Sequence, residues 1–342
     1  MSEREMTSRR LAVLGTGGWG TAVACHLASL GHDVRLWGRR PEFVTELNRT
    51  RLNAAYLPGI PIPASVVLTS DLAEAVDGVE SVASVVPTQH IRSTLAAAGG
   101  VIPAGVPVIS LSKGIENKTL LLPTAILTEV LGEDSTVGVL VGPSHAEEMA
   151  RGLPTTVVVA CDDQDSALAV QQSYTGGGFR VYTHEDVVGV ELGGALKNVI
   201  AIASGICDGL GYGDNSKSAL LTRGLAEMTR LGVAMGAQRA TFSGLSGIGD
   251  LITTCVSPHG RNRAVGERIG RGETLSQILA STQTVAEGVP TTDSVIQLAA
   301  KVGVEMPITE QVHQVLFAEK DPRRGVADLM GRDLKSEMEE LA

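Results

Sequence analysis

One lysine interrupts an otherwise small and apolar run, Glu191-Leu192-Gly193-Gly194-Ala195-Leu196-Lys197-Asn198-Val199-Ile200-Ala201-Ile202. Burying an ammonium among such residues is expensive. Desolvation or a second cation nearby favours its neutral form, which suits a lysine that exchanges a proton with a substrate. The alternative is a side chain that lies along the helix edge and carries its charge to water. Further on, Asp250 and Thr254 stand four apart, so one helix face offers a carboxylate and a hydroxyl together. The segment that follows, Ser257-Pro258-His259-Gly260-Arg261-Asn262-Arg263, reads as a turn and a new helix start. There an arginine fork, an asparagine amide and backbone amides suit a phosphate, or else form an ordinary solvated helix terminus.

Two strand exits carry further candidates. Lys113 follows the apolar run ending at Leu111 and is aimed at the carboxyl edge where open α/β sheets bind ligands. A plain surface lysine at a strand exit is the commoner case. Gly142-Pro143-Ser144-His145-Ala146-Glu147 follows another strand, and Ser144 with Glu147 has the spacing of a capping box. That accounts for Ser144 structurally, while a helix start at a strand exit also presents amides to anions.

The chain opens with Gly15-Thr16-Gly17-Gly18-Trp19-Gly20 directly after a strand pattern and at the head of a helix pattern. In that context Gly15 permits the tight turn, Gly17 admits a pyrophosphate to the backbone and Gly20 allows close helix–strand packing. Where an NAD-selective site would hold an acid at the end of the second strand, this chain has Gly38-Arg39-Arg40. Two guanidiniums can pair a 2′-phosphate, so NADP(H) is expected to be accepted beside NAD(H); the alternative is a solvated arginine pair.

These residues need a scaffold. Runs rich in Val, Ile and Leu at 11–14, 34–37, 66–69, 82–86, 106–111, 137–141, 156–160 and 180–182 read as strands. Helical patterns at 18–30, 72–76, 91–98, 120–131, 145–151 and 166–173 alternate with them, which predicts a doubly wound, Rossmann-type parallel sheet. After residue 186 the strand-like runs stop, and helical spacing takes over at 187–208, 216–236, 246–255, 261–270, 284–301 and 308–318. The expected fold is α/β followed by an all-α C-terminal domain, with residues 1–186 binding a dinucleotide and 187–342 forming a helical substrate and catalytic domain. A ligand is expected in the cleft between them.

Composition narrows the function. The 342 residues hold only two Trp, four Tyr and four Phe but 40 Gly, so the core must be built from aliphatic side chains, as in helices packed on parallel strands. A formal charge of -10 argues against nucleic acid or an anionic membrane surface as partner, because both need a cationic face. Cys25, Cys161, Cys207 and Cys255 lack metal-ligand spacing, so no metal site is expected; they read as buried free thiols of a reducing compartment, hence a cytoplasmic address. Glu3, Arg4, Glu5, Arg9 and Arg10 precede an apolar run too short for a signal peptide, and Gly, Pro or charge breaks every candidate membrane span.

Taken together, GTGGWG at 15–20, VVPTQHIR at 85–92, SLSKGIE at 110–116, VGPSHAEE at 141–148, the block at 192–232, GLSGIGDLITTCVSPHGRNR at 244–263 and VAEGVPTT at 285–292 resemble the NAD(P)-dependent glycerol-3-phosphate dehydrogenases of the soluble bacterial type. The resemblance spans nearly the whole chain. It implies an oxidoreductase that reduces dihydroxyacetone phosphate reversibly to sn-glycerol 3-phosphate with NAD(P)H, supplies phospholipid synthesis and forms homodimers.

By motif match it makes Lys197 the proton donor and acceptor, with Lys113 and Asp250 orienting substrate and tuning that lysine. Thr254, Arg261 and Asn262 become substrate contacts, the latter two near the phosphate, and Arg261 also reaches the cofactor. Gly18, Trp19, Arg39, Arg40, Lys113, Ala146 and Glu287 fall on the dinucleotide side, Gly142 and Ser144 on the substrate side. Two departures stand out: Gly260 replaces a frequent Ser, and Val86-Pro87-Thr88-Gln89 replaces a more usual VPSH.

The mechanism so implied is hydride transfer to the ketone carbon while Lys197 protonates the ketone oxygen and Lys113 steadies the developing charge. Two alternatives remain at this level: another two-domain dehydrogenase of the hydroxyacid or 6-phosphogluconate kind, since fold does not fix substrate, and a non-catalytic dinucleotide sensor.

Overall fold

The computed structural model describes residues 8–96, 100–282, 285–334 and 336–337. Residues 3–5, the end of the expected helix 91–98 and the first residue of the expected helix 284–301 lie outside the described residues. The chain forms two compact units. The sheet unit comprises the described residues through Ser112 together with Pro123–Val187. The helical unit comprises Lys113–Leu122 together with the residues from Val188 onward.

In the sheet unit, β1 (Arg10–Leu14), α1 (Gly18–Ser29), β2 (Asp33–Trp37), α2 (Pro41–Thr50), β3 (Val67–Thr69), α3 (Leu72–Val76), β4 (Ser81–Ser84), α4 (Ile91–Ala96) and β5 (Val108–Ser110) lead to α5 (Pro123–Leu131) and β6 (Val137–Val141). After them come α6 (Ala146–Ala150), β7 (Thr155–Cys161), α7 (Gln164–Tyr174) and β8 (Phe179–His184). The eight strands lie in the order β3-β2-β1-β4-β5-β6-β7-β8. All eight expected strands form, with ends within two residues of the sequence reading. Val13 and Leu36 are fully buried on adjacent strands, and Leu11, Ala12, Val13 and Leu14 are buried in succession, as a sheet covered on both faces requires.

One pairing departs from the expected all-parallel sheet: β7 runs antiparallel to β6. The link between them, residues 142–154, holds the five-residue α6. The 11-residue α7 does complete a crossover, and β8 lies parallel to β7.

The expected helix 120–131 starts later, at Pro123. Lys118 and Leu120 both have positive φ, so the chain before it is a loop. Ser144 is not a cap residue: α6 begins at Ala146 with His145 at its N-cap, and the Ser144 hydroxyl donates to the Gly142 carbonyl at 2.9 Å. All four cysteines are free thiols, three of them buried, whereas Cys25 is only half-buried and donates to the Pro61 carbonyl at 3.9 Å. The sequence reading passed over α2, a polar helix announced by Pro41 at its first position.

The helical unit contains α8 (Val187–Gly209), α9 (Asp214–Ala234), α10 (Asp250–Val256), α11 (Arg261–Gly270), α12 (Leu275–Ser281), α13 (Gly288–Val302), α14 (Pro307–Phe317) and α15 (Pro322–Met330). Short α12 and α15 were not anticipated, and the expected helix 246–255 is a π turn over Leu245–Gly249 running into α10. At the centre lies α8, buried from Gly189 through Cys207; it is long and apolar enough to cross a membrane, yet most of its length is inside the protein.

Glycines on α8 set how closely its neighbours approach. A Cβ at Gly193 would stand 2.5 Å from the Ser246 carbonyl, at Gly205 1.9 Å from that of Arg263 and at Gly209 2.2 Å from that of Glu267. From the α11 side, a Cβ at Gly266 would lie 1.9 Å from the Ile202 carbonyl. Backbone therefore rests on backbone, and any larger residue at these positions would drive the helices apart.

Candidate active site

The contact at Gly193 decides what Lys197 meets. Lys197 lies one turn beyond Gly193 on α8, and Asp250 lies one turn beyond Ser246. The two side chains are thus brought face to face, Lys197 Nζ donating to Asp250 Oδ1 at 2.5 Å and to Thr254 Oγ1 at 2.6 Å. The Thr254 hydroxyl in turn donates to the Asp250 carbonyl at 2.7 Å, as expected for a threonine four residues on. Lys113 completes the cluster, its Nζ donating to the other carboxylate oxygen, Oδ2, at 2.8 Å.

Lys197, Asp250 and Thr254 are all buried. Neither bland reading of the lysines survives: Lys197 does not reach water, and Lys113 is mostly covered and ion-paired.

Two ammoniums share one carboxylate, so the buried cluster carries an excess positive charge. Burial, opposed by the attraction of Asp250 and reinforced by the repulsion of Lys113, lowers Lys197 to about 7. Burial alone would raise Asp250, but the charges of Lys113 and Lys197 and their hydrogen bonds outweigh it and hold the carboxyl below its ordinary range. Lys197 therefore has both protonation states accessible near neutral pH, as a group that gives and takes a proton in turnover must.

A chain of amides joins this cluster to the start of α11. Asn198 Nδ2 donates to the Lys113 carbonyl at 3.0 Å, Asn262 Nδ2 donates to Asn198 Oδ1 at 2.9 Å, and the Gly288 amide donates to Asn262 Oδ1 at 2.9 Å. Glu287 is the N-cap residue of α13, next to that amide. Arg261 is exposed at the first position of α11, and Asn262 is buried behind it. At Gly260 an added Cβ would lie 2.8 Å from the Thr254 carbonyl, so the turn before α11 packs onto the end of α10 more closely than a serine would permit. Among the sequence candidates, the structure thus assembles Lys113, Lys197, Asp250, Thr254, Gly260, Arg261, Asn262 and Glu287 within the helical unit. Asn198 was missed; its signal was a second polar group beside the lysine in an apolar run.

The remaining candidates, Gly15, Gly17, Gly18, Trp19, Gly20, Arg39, Arg40, Gly142, Ser144 and Ala146, belong to the sheet unit. Gly15 has φ +131°, and its Cβ would lie 2.7 Å from the Val85 carbonyl; a Cβ at Gly20 would lie 1.9 Å from the Gly15 carbonyl. Nothing lies within 4 Å of a Cβ built on Gly17, which is the N-cap of α1 and makes no side-chain cap. The first amides of α1 face an open backbone cradle, a fit for a pyrophosphate.

Ala146 stands beside this turn, 3.8 Å from a Cβ placed on Gly18, and Gly142 brings the exit of β6 against Val157 of β7. Trp19 packs on the apolar core of the unit. Arg39 and Arg40 are exposed at the end of β2, where Gly38 lies against Thr16 of the glycine turn. The Arg40 guanidinium lies over the Phe43 ring at 4.7 Å and donates to the Tyr56 hydroxyl at 3.3 Å. The fully buried Asn53 donates to the Thr16 carbonyl at 3.0 Å and to Thr21 at 2.8 Å, pinning the turn. Neither Tyr56 nor Asn53 was anticipated, since a single loop residue leaves no periodic signal.

A family model described as NAD-dependent glycerol-3-phosphate dehydrogenase N-terminus matches residues 10–167, and the corresponding C-terminus model matches residues 186–327. The chain is 52% identical over 333 residues to glycerol-3-phosphate dehydrogenase (NAD(P)+) 2 of Salinibacter ruber, covering 96% of each chain. It is 50% identical to glycerol-3-phosphate dehydrogenase (NAD(P)+) of Geobacillus kaustophilus, covering 97% of each. Among solved structures, glycerol-3-phosphate dehydrogenase from Coxiella burnetii superposes with a TM-score of 0.91 at 37% identity, over 95% of this chain and 99% of that one.

Proposed function

The chain belongs to the NAD-dependent glycerol-3-phosphate dehydrogenase family, and from that premise we propose that it reduces dihydroxyacetone phosphate to sn-glycerol 3-phosphate with NADH or NADPH, Lys197 acting as the proton donor. The observation that carries this reading is the buried Lys197–Asp250–Lys113 cluster with a lysine lowered to about 7. Membership of the family sets aside the hydroxyacid and 6-phosphogluconate alternatives.

Most of the dinucleotide contacts fall to the sheet unit and most of the substrate contacts to the helical unit. Gly15, Gly17 and Gly20 shape the turn for the pyrophosphate, Gly18, Trp19 and Ala146 flank it, and Arg39 and Arg40 receive the adenosine ribose end. When bound, the reduced nicotinamide supplies the hydride. Lys197 gives its proton to the ketone oxygen as that oxygen gains charge, and is reprotonated before the next turnover. Asp250 fixes the direction of the Lys197 ammonium and keeps it charged against the repulsion of Lys113. Lys113 adds a second positive charge that favours an oxyanion over a neutral carbonyl. Thr254 accepts from Lys197 as its second hydrogen-bond partner. Arg261, Asn262 and the first amides of α11 hold the phosphate, Gly260 letting the turn close, with Gly142 and Ser144 on the substrate side and Glu287 on the cofactor side.

The same reading makes the enzyme cytoplasmic, in keeping with its four free thiols, a homodimer, and a source of glycerol 3-phosphate for phospholipids. Steady-state kinetics with dihydroxyacetone phosphate against NADH and NADPH test the activity. Turnover with both cofactors is expected; cofactor binding without turnover would make the protein a dinucleotide sensor instead.

A further inference from the structure

The turn over residues 257–260 delivers Arg261 and Asn262 to the head of α11, and what holds that turn is outside the cluster described so far. The Ser257 carbonyl accepts two donors, the Gly260 amide at 3.2 Å and Arg263 Nε at 3.1 Å. The opposite edge of the same guanidinium turns away from the turn. Its Nη1 donates to Asp208 Oδ2 at 2.6 Å and lies 3.3 Å from Glu267. Asp208, near the end of α8, is anchored at its other oxygen by Lys217 of α9 at 2.5 Å. Both members of the Asp208–Arg263 pair are largely covered. Their register is set by the glycine contacts, since Gly205 rests on the Arg263 carbonyl and Gly209 on that of Glu267.

We propose that Asp208 and Arg263 form a positioning clamp for the substrate phosphate: the rigid guanidinium ties the 257–260 turn to the ends of α8 and α9, and so fixes where the head of α11 presents its phosphate-binding groups. The inference rests on the functional reading above and adds to it two residues that touch neither the reacting atoms nor Lys197. Asp208 lies eleven positions beyond Lys197 along α8, about 16 Å of helix, so the clamp acts on phosphate affinity and leaves proton transfer alone. Lysine cannot replace Arg263, because one ammonium lacks the two-edged fork that serves a carbonyl and a carboxylate at once.

Arg263→Lys and Asp208→Asn, made in the full chain, test this with two ketones that differ only in the phosphate, dihydroxyacetone phosphate and dihydroxyacetone. For Arg263→Lys, kcat/KM for the phosphorylated ketone should fall about tenfold, mostly through KM, as befits loss of one well-placed hydrogen bond. For dihydroxyacetone it should stay within about twofold of wild type, since the proton-transfer groups are untouched. Asp208→Asn, nearly isosteric, should show the same split more weakly and serves if Arg263→Lys does not fold. A parallel fall for both ketones would mark the pair as merely structural and overturn the proposal, as would no change for either.

Inorganic phosphate gives a readout independent of turnover. It should raise the Tm of the wild-type protein and raise it less in the variants. An equal rise in all three would refute the clamp even if the enzyme reduces dihydroxyacetone phosphate. Failure of the wild-type enzyme to reduce that ketone, with the phosphate-dependent Tm difference intact, would instead overturn the functional reading and leave the clamp standing.

Discussion

At the glycine turn of the sheet unit, what a ligand meets is backbone: the first amides of α1, left without a side-chain cap, while α3, α7 and α12 are capped by Asp71, Asp163 and Thr274. Around Lys197 in the helical unit the offering is three side-chain charges, two of them buried and the third, on Lys113, mostly covered. Backbone amides bind anions without any group changing its proton count, so a cradle of this kind needs little desolvation. Enclosing two ammoniums and one carboxylate costs several kcal/mol per ion before pairing offsets it, and that cost is what brings a lysine down to neutral pH. One region is built to hold, the other to react.

If that contrast is right, the two regions should fail differently. The largest effect is expected for Lys197→Met, which keeps the volume of the side chain and leaves Asp250 paired with Lys113. Its kcat should drop by about 10²–10⁴-fold, the usual worth of a positioned acid, with cofactor affinity by fluorescence titration unchanged; near-normal turnover would erase the distinction between the regions.

Next comes the double change Arg39→Ser, Arg40→Ser. Loss of charge-assisted bonds to a 2′-phosphate should raise KM for NADPH by about 10–100-fold, leaving kcat and the KM for NADH nearly unchanged. Equal effects on both cofactors would mean that the arginine pair only decorates the surface.

The smallest effect concerns pH. Ketone reduction needs the protonated form of Lys197, so its kcat/KM should fall as pH rises through about 7, while glycerol 3-phosphate oxidation, which needs the neutral form, should rise over the same interval. Asp250→Asn removes the attraction that keeps Lys197 charged, and the fall for reduction should move to lower pH, about tenfold in rate on the falling limb for each pH unit moved. An unmoved limb would show that Asp250 does not tune the lysine.

Much of this was legible in the amino-acid order. Strands announced themselves through β-branched runs, and the glycine motif through its place between a strand and a helix. Lys197, Asp250 and Thr254 were visible as polar residues at helical spacing in apolar company. The direction of β7 was not, because an apolar run marks a strand whichever way it points in the sheet. Ser144 illustrates a different limit: a capping-box spacing is satisfied by many loops, and here the helix starts one residue late. Asn53 and Tyr56 act through contacts between separate segments of the chain, which no local pattern encodes.

Lys113 reaches Asp250 from a stretch, Lys113–Leu122, that joins the helical unit although the chain on both sides of it belongs to the sheet. The two units are therefore not separable at a single peptide bond. A fragment beginning after residue 187 would keep Lys197 and Asp250 but forfeit the second ammonium. Chimaeras made by exchanging the C-terminal half between relatives would mix the ten-residue excursion of one parent with the helices of another.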